Sequence, residues 1–211
     1  MRSTTKLTIE DHYDGFRIPT RNYMSEAEFE AWCDEDTFAE WVDGRVVPLP
    51  QIDDAHARTF NTLFSTMAVF VAEKRAGAVS AAPRQVRFEK LKTRRLPDIS
   101  YIARRRRTIS KKYAIDGAPD IILEIVSRLG MALDWREKYI EYEKAGVREY
   151  WIVDPISRCV ELNALRAGKY HVIAQSSGKL HSTVLRGFFL RPEWLWKDVK
   201  PLGRYRELGL I

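Results

Sequence analysis

Cysteine and histidine are scarce, two and four in 211 residues. Cys33 and Cys159 stand in unrelated surroundings with no paired Cys/His spacing. That excludes a disulfide framework and a zinc knuckle and leads us to expect a reducing cytoplasm. Long apolar runs are missing too. The longest, Met67 to Ala72, falls far short of the ~18 residues that cross a bilayer, and the opening residues carry no positive, then apolar, then small signal. Neither secretion nor a membrane span is expected. Disorder is excluded by what is present: 45% hydrophobic residues and six tryptophans can bury a core. One domain over 25–196 is the economical reading, with an irregular arm at 1–24 and a tail at 197–211.

Charge is unevenly spread. The net +6 of the chain hides −6 over residues 1–83, +10 over 84–113 and +2 over 114–211. A local +10 attracts polyanions, although a charge run also serves as a solvated loop.

Along the chain, Ser25-x-x-Glu28 is a capping box that opens a short helix. Asp43-Gly44 between two apolar runs marks a tight hairpin and puts Glu40 in a strand. Asp53 or Asp54 caps a long helix through Phe60, Leu63, Phe64, Met67, Phe70 and Val71, ended by Gly77. Strands are expected over 78–89 and 96–103, joined by the basic turn 90–95. Pro119 to Ser127 reads as a strand buried on both faces, a helix runs from about Asp134 to Ala145 with Gly146 as its stop, and Glu149 to Asp154 is a further buried strand. Strand, helix, strand is a βαβ crossover. Cys159–Leu165, Lys169–Ala174 and His181–Leu185 alternate like an antiparallel meander. The expected class is α/β with a mixed central sheet flanked by helices.

Three acids fall in or beside strands: Glu40, Asp98 and Glu124. A buried carboxylate must be paired or bind a cation, and oxygen ligands suit Mg²⁺ or Mn²⁺; any one of them could equally be an exposed edge residue. Neighbouring strands hold side chains about 5 Å apart, close enough for Asp98 and Glu124 to share one ion. On the following helix Asp134, Lys138 and Glu141 or Tyr142 share a face, so that Lys138 either faces these acids or pairs locally on the surface.

In this order Glu40-x-x-Asp43-Gly44, His56, Pro97-Asp98, Glu124-Ile-Val-Ser127, Asp134-x₃-Lys138-x₃-Tyr142 and Gly146-Val-Arg-Glu-Tyr-Trp-Ile-Val-Asp-Pro155 resemble the Uma-two family of restriction endonucleases, within the PD-(D/E)xK nuclease superfamily. The resemblance covers about residues 25–195. It implies a restriction-endonuclease-like core in which Asp98 and Glu124 ligate Mg²⁺ (or Mn²⁺), Glu40 is an additional acid and Lys138 the catalytic lysine. The superfamily expects a lysine two residues after the second acid, where this chain has Val126; Lys138 matches a lysine moved to the helix. Ser127-Arg128-Leu129 departs from the Ser-Pro and small polar residues common in relatives.

His56, Ser127 and Asp134 are the expected supporting residues, although a helix-start histidine also serves as a cap or core partner. Phosphate contacts are expected from Arg94, Arg95, Arg104, Arg105, Arg106, Arg107, Lys111 and Lys112. The implied activity is metal-dependent hydrolysis of phosphodiesters, foremost in double-stranded DNA, by a cytoplasmic enzyme that could act as a homodimer. The rival is a non-catalytic nucleic-acid-binding or assembly module that keeps the fold.

Overall fold

The computed structural model describes residues 12–13, 16–17, 23–34, 37–126, 133–197 and 199–211. Its elements are β1 (His12–Tyr13), β2 (Phe16–Arg17), α1 (Glu26–Trp32), β3 (Ala39–Val42), β4 (Arg45–Pro48), α2 (Asp54–Glu73), β5 (Gly77–Ala81), β6 (Gln85–Phe88), β7 (Thr93–Arg95), β8 (Ile99–Ala103), β9 (Ala114–Asp116), β10 (Ile121–Ile125), α3 (Leu133–Ala145), β11 (Glu149–Asp154), β12 (Cys159–Arg166), β13 (Lys169–Gln175), β14 (Leu180–His181), β15 (Phe189–Leu190), α4 (Glu193–Trp196) and α5 (Pro201–Glu207).

Local chemistry sets many of the boundaries. Ser25 and Glu28 form the full capping box at α1. Asp43 and Gly44 take φ of 45° and 91°, the left-handed pair that a two-residue hairpin requires, and so β3 and β4 pair antiparallel. Asp53 caps α2 by accepting the His56 N–H.

A six-stranded sheet in the order β13-β12-β11-β10-β8-β5 forms the centre. Within it β10 and β11 run parallel, joined over one face by α3, and every other pairing is antiparallel. A second sheet, β4-β3-β7-β6-β9, brings Glu40 from the N-terminal part of the chain. Ile121, Leu123 and Ile125 of β10 point into the core shared with α2 and the C-terminal segment. Ile122 joins the opposite core with Tyr142 and Tyr150. That double burial explains the unbroken apolar run of β10.

Several sequence expectations change. Gly77 does not end α2; the chain turns at Arg75, φ 49°, and Gly77 opens β5. The span 78–89 is split between two sheets, and Thr93–Arg95 is a strand paired to β3 and β6 where a basic turn was expected. The meander holds for β11, β12 and β13, but residues 181–185 do not extend it: β14 pairs only with β15, as a separate two-stranded sheet. Residues 197–211 are no free tail, since Leu208 is buried in the α2 core together with Trp194. The arm at 1–24 lies mostly outside the described residues.

Among the described residues no helix is long and apolar enough to cross a membrane.

Gly77 is required by close approach. A Cβ there would lie 2.1 Å from the Ile102 carbonyl oxygen, a backbone atom that cannot swing aside. Gly77→Ala is expected to destabilise the protein by about 1–3 kcal/mol, lowering the melting temperature by roughly 2–4 °C per kcal/mol for a chain of this size; thermal unfolding followed by circular dichroism checks it.

Candidate active site

Asp98 is placed by strand register. Pro97 keeps the preceding residue extended, and Ile99 pairs with Leu123, so the residue just before β8 lies beside the end of β10. Asp98 Oδ2 accepts the Ile125 N–H at 2.7 Å. Its Oδ1 lies 3.3 Å from Nε2 of His56, a buried histidine in the first turn of α2 whose backbone N–H is fixed by Asp53 at 2.8 Å.

Glu124 alternates with Leu123 and Ile125 and therefore turns to the α3 side of the sheet. Its Oε1 accepts the Tyr142 hydroxyl at 2.8 Å and sits 3.3 Å from Lys138 Nζ. Lys138, 5% exposed, lies 3.3 Å from Glu40 Oε1 as well. One ammonium thus faces carboxylates from both sheets. Spacing of four along α3 stacks Lys138 and Tyr142 on one face, and the βαβ crossover lays that face over Glu124.

Glu40 is 1% exposed. It accepts the Leu96 N–H at 3.0 Å and Nη1 of Arg95 at 2.8 Å. Burial alone would raise its carboxyl, but Lys138, Arg95 and these hydrogen bonds outweigh that and hold it at about 2. Glu124 goes the other way. Burial pushes it up to about 8 in spite of Lys138, with Asp98 and Glu40 adding like-charge repulsion.

Arg95, 1% exposed, is the internal counter-cation of this network. Besides Glu40 it binds Glu141 of α3, with Nη2 to Oε2 at 2.6 Å. The role escaped sequence reasoning because Arg95 sits inside a basic run; its place on a strand directly before the Pro97-Asp98 entry was the available signal. Its neighbour Arg94 is also turned inward, onto Glu26 and Glu30. These two depart from the expected phosphate contacts, since both are buried and paired with carboxylates of the protein itself.

The run 104–107 is placed differently from expectation. It follows β8 at the end away from Asp98, and six residues at about 3.3 Å each put Arg104 about 20 Å from that carboxylate. Arg106 binds the buried Asp120 and the Ala118 carbonyl, and Arg107 donates to the Gly77 carbonyl at 2.7 Å. Arg104, Arg105, Lys111 and Lys112 are exposed. Ser127 lies outside the described residues; Asp134 belongs to α3, but its side chain lies outside them too.

Asp98 and Glu124 suit a hard divalent cation. Among the described residues both side-chain partners of Glu124 sit on Oε1, so Oε2 is the oxygen that could serve as a ligand. Among the described residues no group of three or more His, Cys, Asp or Glu could hold a metal. Mg²⁺ tolerates that, since it keeps several waters and takes one or two protein carboxylates.

Glu40 carries a pH signature. Its folded carboxyl lies below the ordinary 4.5, so its stabilising contribution is complete above that value and disappears as pH falls through about 2. Thermal melts of the parent and Glu40→Gln across pH 2–7 are expected to differ most at neutral pH and to converge at the acid end. Glu40→Ala, which removes the buried partner shared by Arg95 and Lys138, is expected to cost about 3–5 kcal/mol.

Comparison with known proteins agrees with this architecture. No curated protein matches the chain. A crystal structure from Anabaena variabilis ATCC 29413, described as "a putative nuclease belonging to DUF820", superposes with a TM-score of 0.69 at 17% identity, covering 82% of this chain and 97% of that one; the likeness shows a shared fold, restriction-endonuclease-like. The family model of Uma2, described as "Putative restriction endonuclease", matches residues 26–192. The chain therefore belongs to the Uma2 restriction-endonuclease family.

Proposed function

We propose that this protein is a divalent-metal-dependent endonuclease that hydrolyses phosphodiester bonds in DNA. The observation that carries the reading is the convergence of Asp98 and Glu124, at the meeting ends of adjacent strands, with Lys138 of α3, from three separate parts of the sequence. Asp98 and Glu124 are the residues that would hold Mg²⁺, which supplies Lewis-acid activation of the phosphate and of water.

The protein's own groups do the rest. Lys138, a compact point charge, orients the attacking water or neutralises charge developing on the phosphoryl oxygens. Glu40 holds the Lys138 side chain in place. Tyr142 fixes the rotamer of Glu124, and His56 with the Ile125 N–H fixes that of Asp98, so that the carboxylates are preorganised. The exposed Arg104, Arg105, Lys111 and Lys112 are suited to phosphates distant from the scissile bond, where they add salt-dependent affinity without reading sequence.

Incubation with supercoiled plasmid, linear duplex, single-stranded DNA and RNA in Mg²⁺, Mn²⁺ or EDTA tests the reading. Metal-dependent cutting that Asp98→Ala and Glu124→Ala each abolish is the expected result. DNA retardation without cutting in any metal would favour a binding module. Independently of turnover, Mg²⁺ is expected to raise the melting temperature of the parent through ligand linkage and to leave Asp98→Ala unshifted.

A further inference from the structure

Beside the carboxylates lies a recess of about 250 Å³ lined by Asp53, Ala55, Val126, Pro155, Ile156 and Arg158. It opens at the pole where the parallel strands β10 and β11 both end, the position at which α/β sheets take their ligands. It is continuous with the site in the chain. Val126 is two residues past Glu124 and donates its N–H to Val153 at 2.8 Å; Asp53 caps the turn of α2 that carries His56 onto Asp98.

The outer wall is a rigid four-residue turn between β11 and β12, whose ends pair at Asp154 and Cys159. The Asp154 carboxylate accepts the Ile156 N–H at 2.8 Å, the Ser157 N–H at 3.2 Å and the Ser157 hydroxyl at 2.6 Å. Held so, Ile156 remains 52% exposed, a branched apolar side chain facing solvent beside a charged site. Arg158 is exposed and forms no ion pair among the described residues. It occupies the left-handed position of the turn, φ 54°, where glycine or asparagine is the ordinary choice.

We propose that this recess is the subsite for the nucleotide adjacent to the scissile phosphate. The base or sugar packs on Ala55, Val126, Pro155 and Ile156, and Arg158 holds the neighbouring phosphate. The volume is below the ~300–1,000 Å³ of clefts that enclose whole drug-sized ligands and fits one unit of a polymer that continues outward. The free guanidinium matches the phosphate, and the aliphatic floor matches the face of a base or a deoxyribose. The proposal rests on the nuclease reading above.

Arg158→Gln keeps a polar, unbranched side chain and the backbone demand and removes the charge; Arg158→Lys keeps the charge. Both are made in the Asp98→Ala background, and binding to a fluorescent duplex is titrated by anisotropy from 50 to 300 mM salt, with melting temperatures confirming the fold. Loss of one phosphate contact predicts that Arg158→Gln flattens the log K against log salt slope by about one and weakens binding about eightfold at 0.1 M salt, with Arg158→Lys close to parental. In the active protein Arg158→Gln raises KM more than it lowers kcat. Ile156→Ser weakens binding with the parental salt slope. A parental slope and KM in Arg158→Gln, in a protein that does cut DNA, would overturn the subsite and leave the nuclease reading standing. A parent that neither binds nor cuts any nucleic acid would overturn both.

Discussion

The ammonium of Lys138 between the buried Glu40 and the part-buried Glu124, 3.3 Å from each, is the interaction on which the rest of the site depends. Glu40, Glu141, Glu124 and Asp98 lie together with Arg95 and Lys138 as their fixed cations. The inner pair of acids, Glu40 and Glu141, is balanced by Arg95 and by a share of Lys138. The outer pair, Glu124 and Asp98, faces Lys138 and His56. Burial pushes Glu124 up to about 8, whereas at Glu40 the two cations and the hydrogen bonds outweigh burial and hold the carboxyl at about 2.

Topology makes that distribution reachable. Parallel pairing of β10 and β11 obliges the chain to cross over the sheet, and α3 is that crossover. Lys138 on its inward face reaches both Glu124 of β10 and Glu40 of β3. Val126, two residues past Glu124 in the chain, lines the neighbouring recess.

Basic residues divide by what their backbone does. Arg94 and Arg95 belong to a three-residue strand in the middle of the second sheet, and their guanidiniums serve as internal counter-ions for α1, β3 and α3. Arg104 and Arg105 lie past the far end of β8. Arg158, isolated in sequence, stands next to the site because a tight turn returns the chain there. Local charge density along the sequence therefore says little about where a polyanion would meet the protein.

The sequence by itself determined the locally signalled elements. Capping at Ser25 and Asp53, the Asp43-Gly44 turn and the doubly apolar β10 are readable because each depends on neighbours within a few residues. The ordered series Glu40, Pro97-Asp98, Glu124, Lys138 was legible only as a resemblance to a family, together with the Glu-Tyr-Trp-Ile-Val-Asp-Pro strand. Tertiary structure alone decided that Thr93–Arg95 pairs as a strand, that Arg95 pairs with Glu40, and that Leu208 near the C-terminus joins the core. Each of these depends on which distant strands pair and which face they present. A guanidinium reads the same in the sequence whether a carboxylate from 55 residues away lies within 3 Å of it or water does.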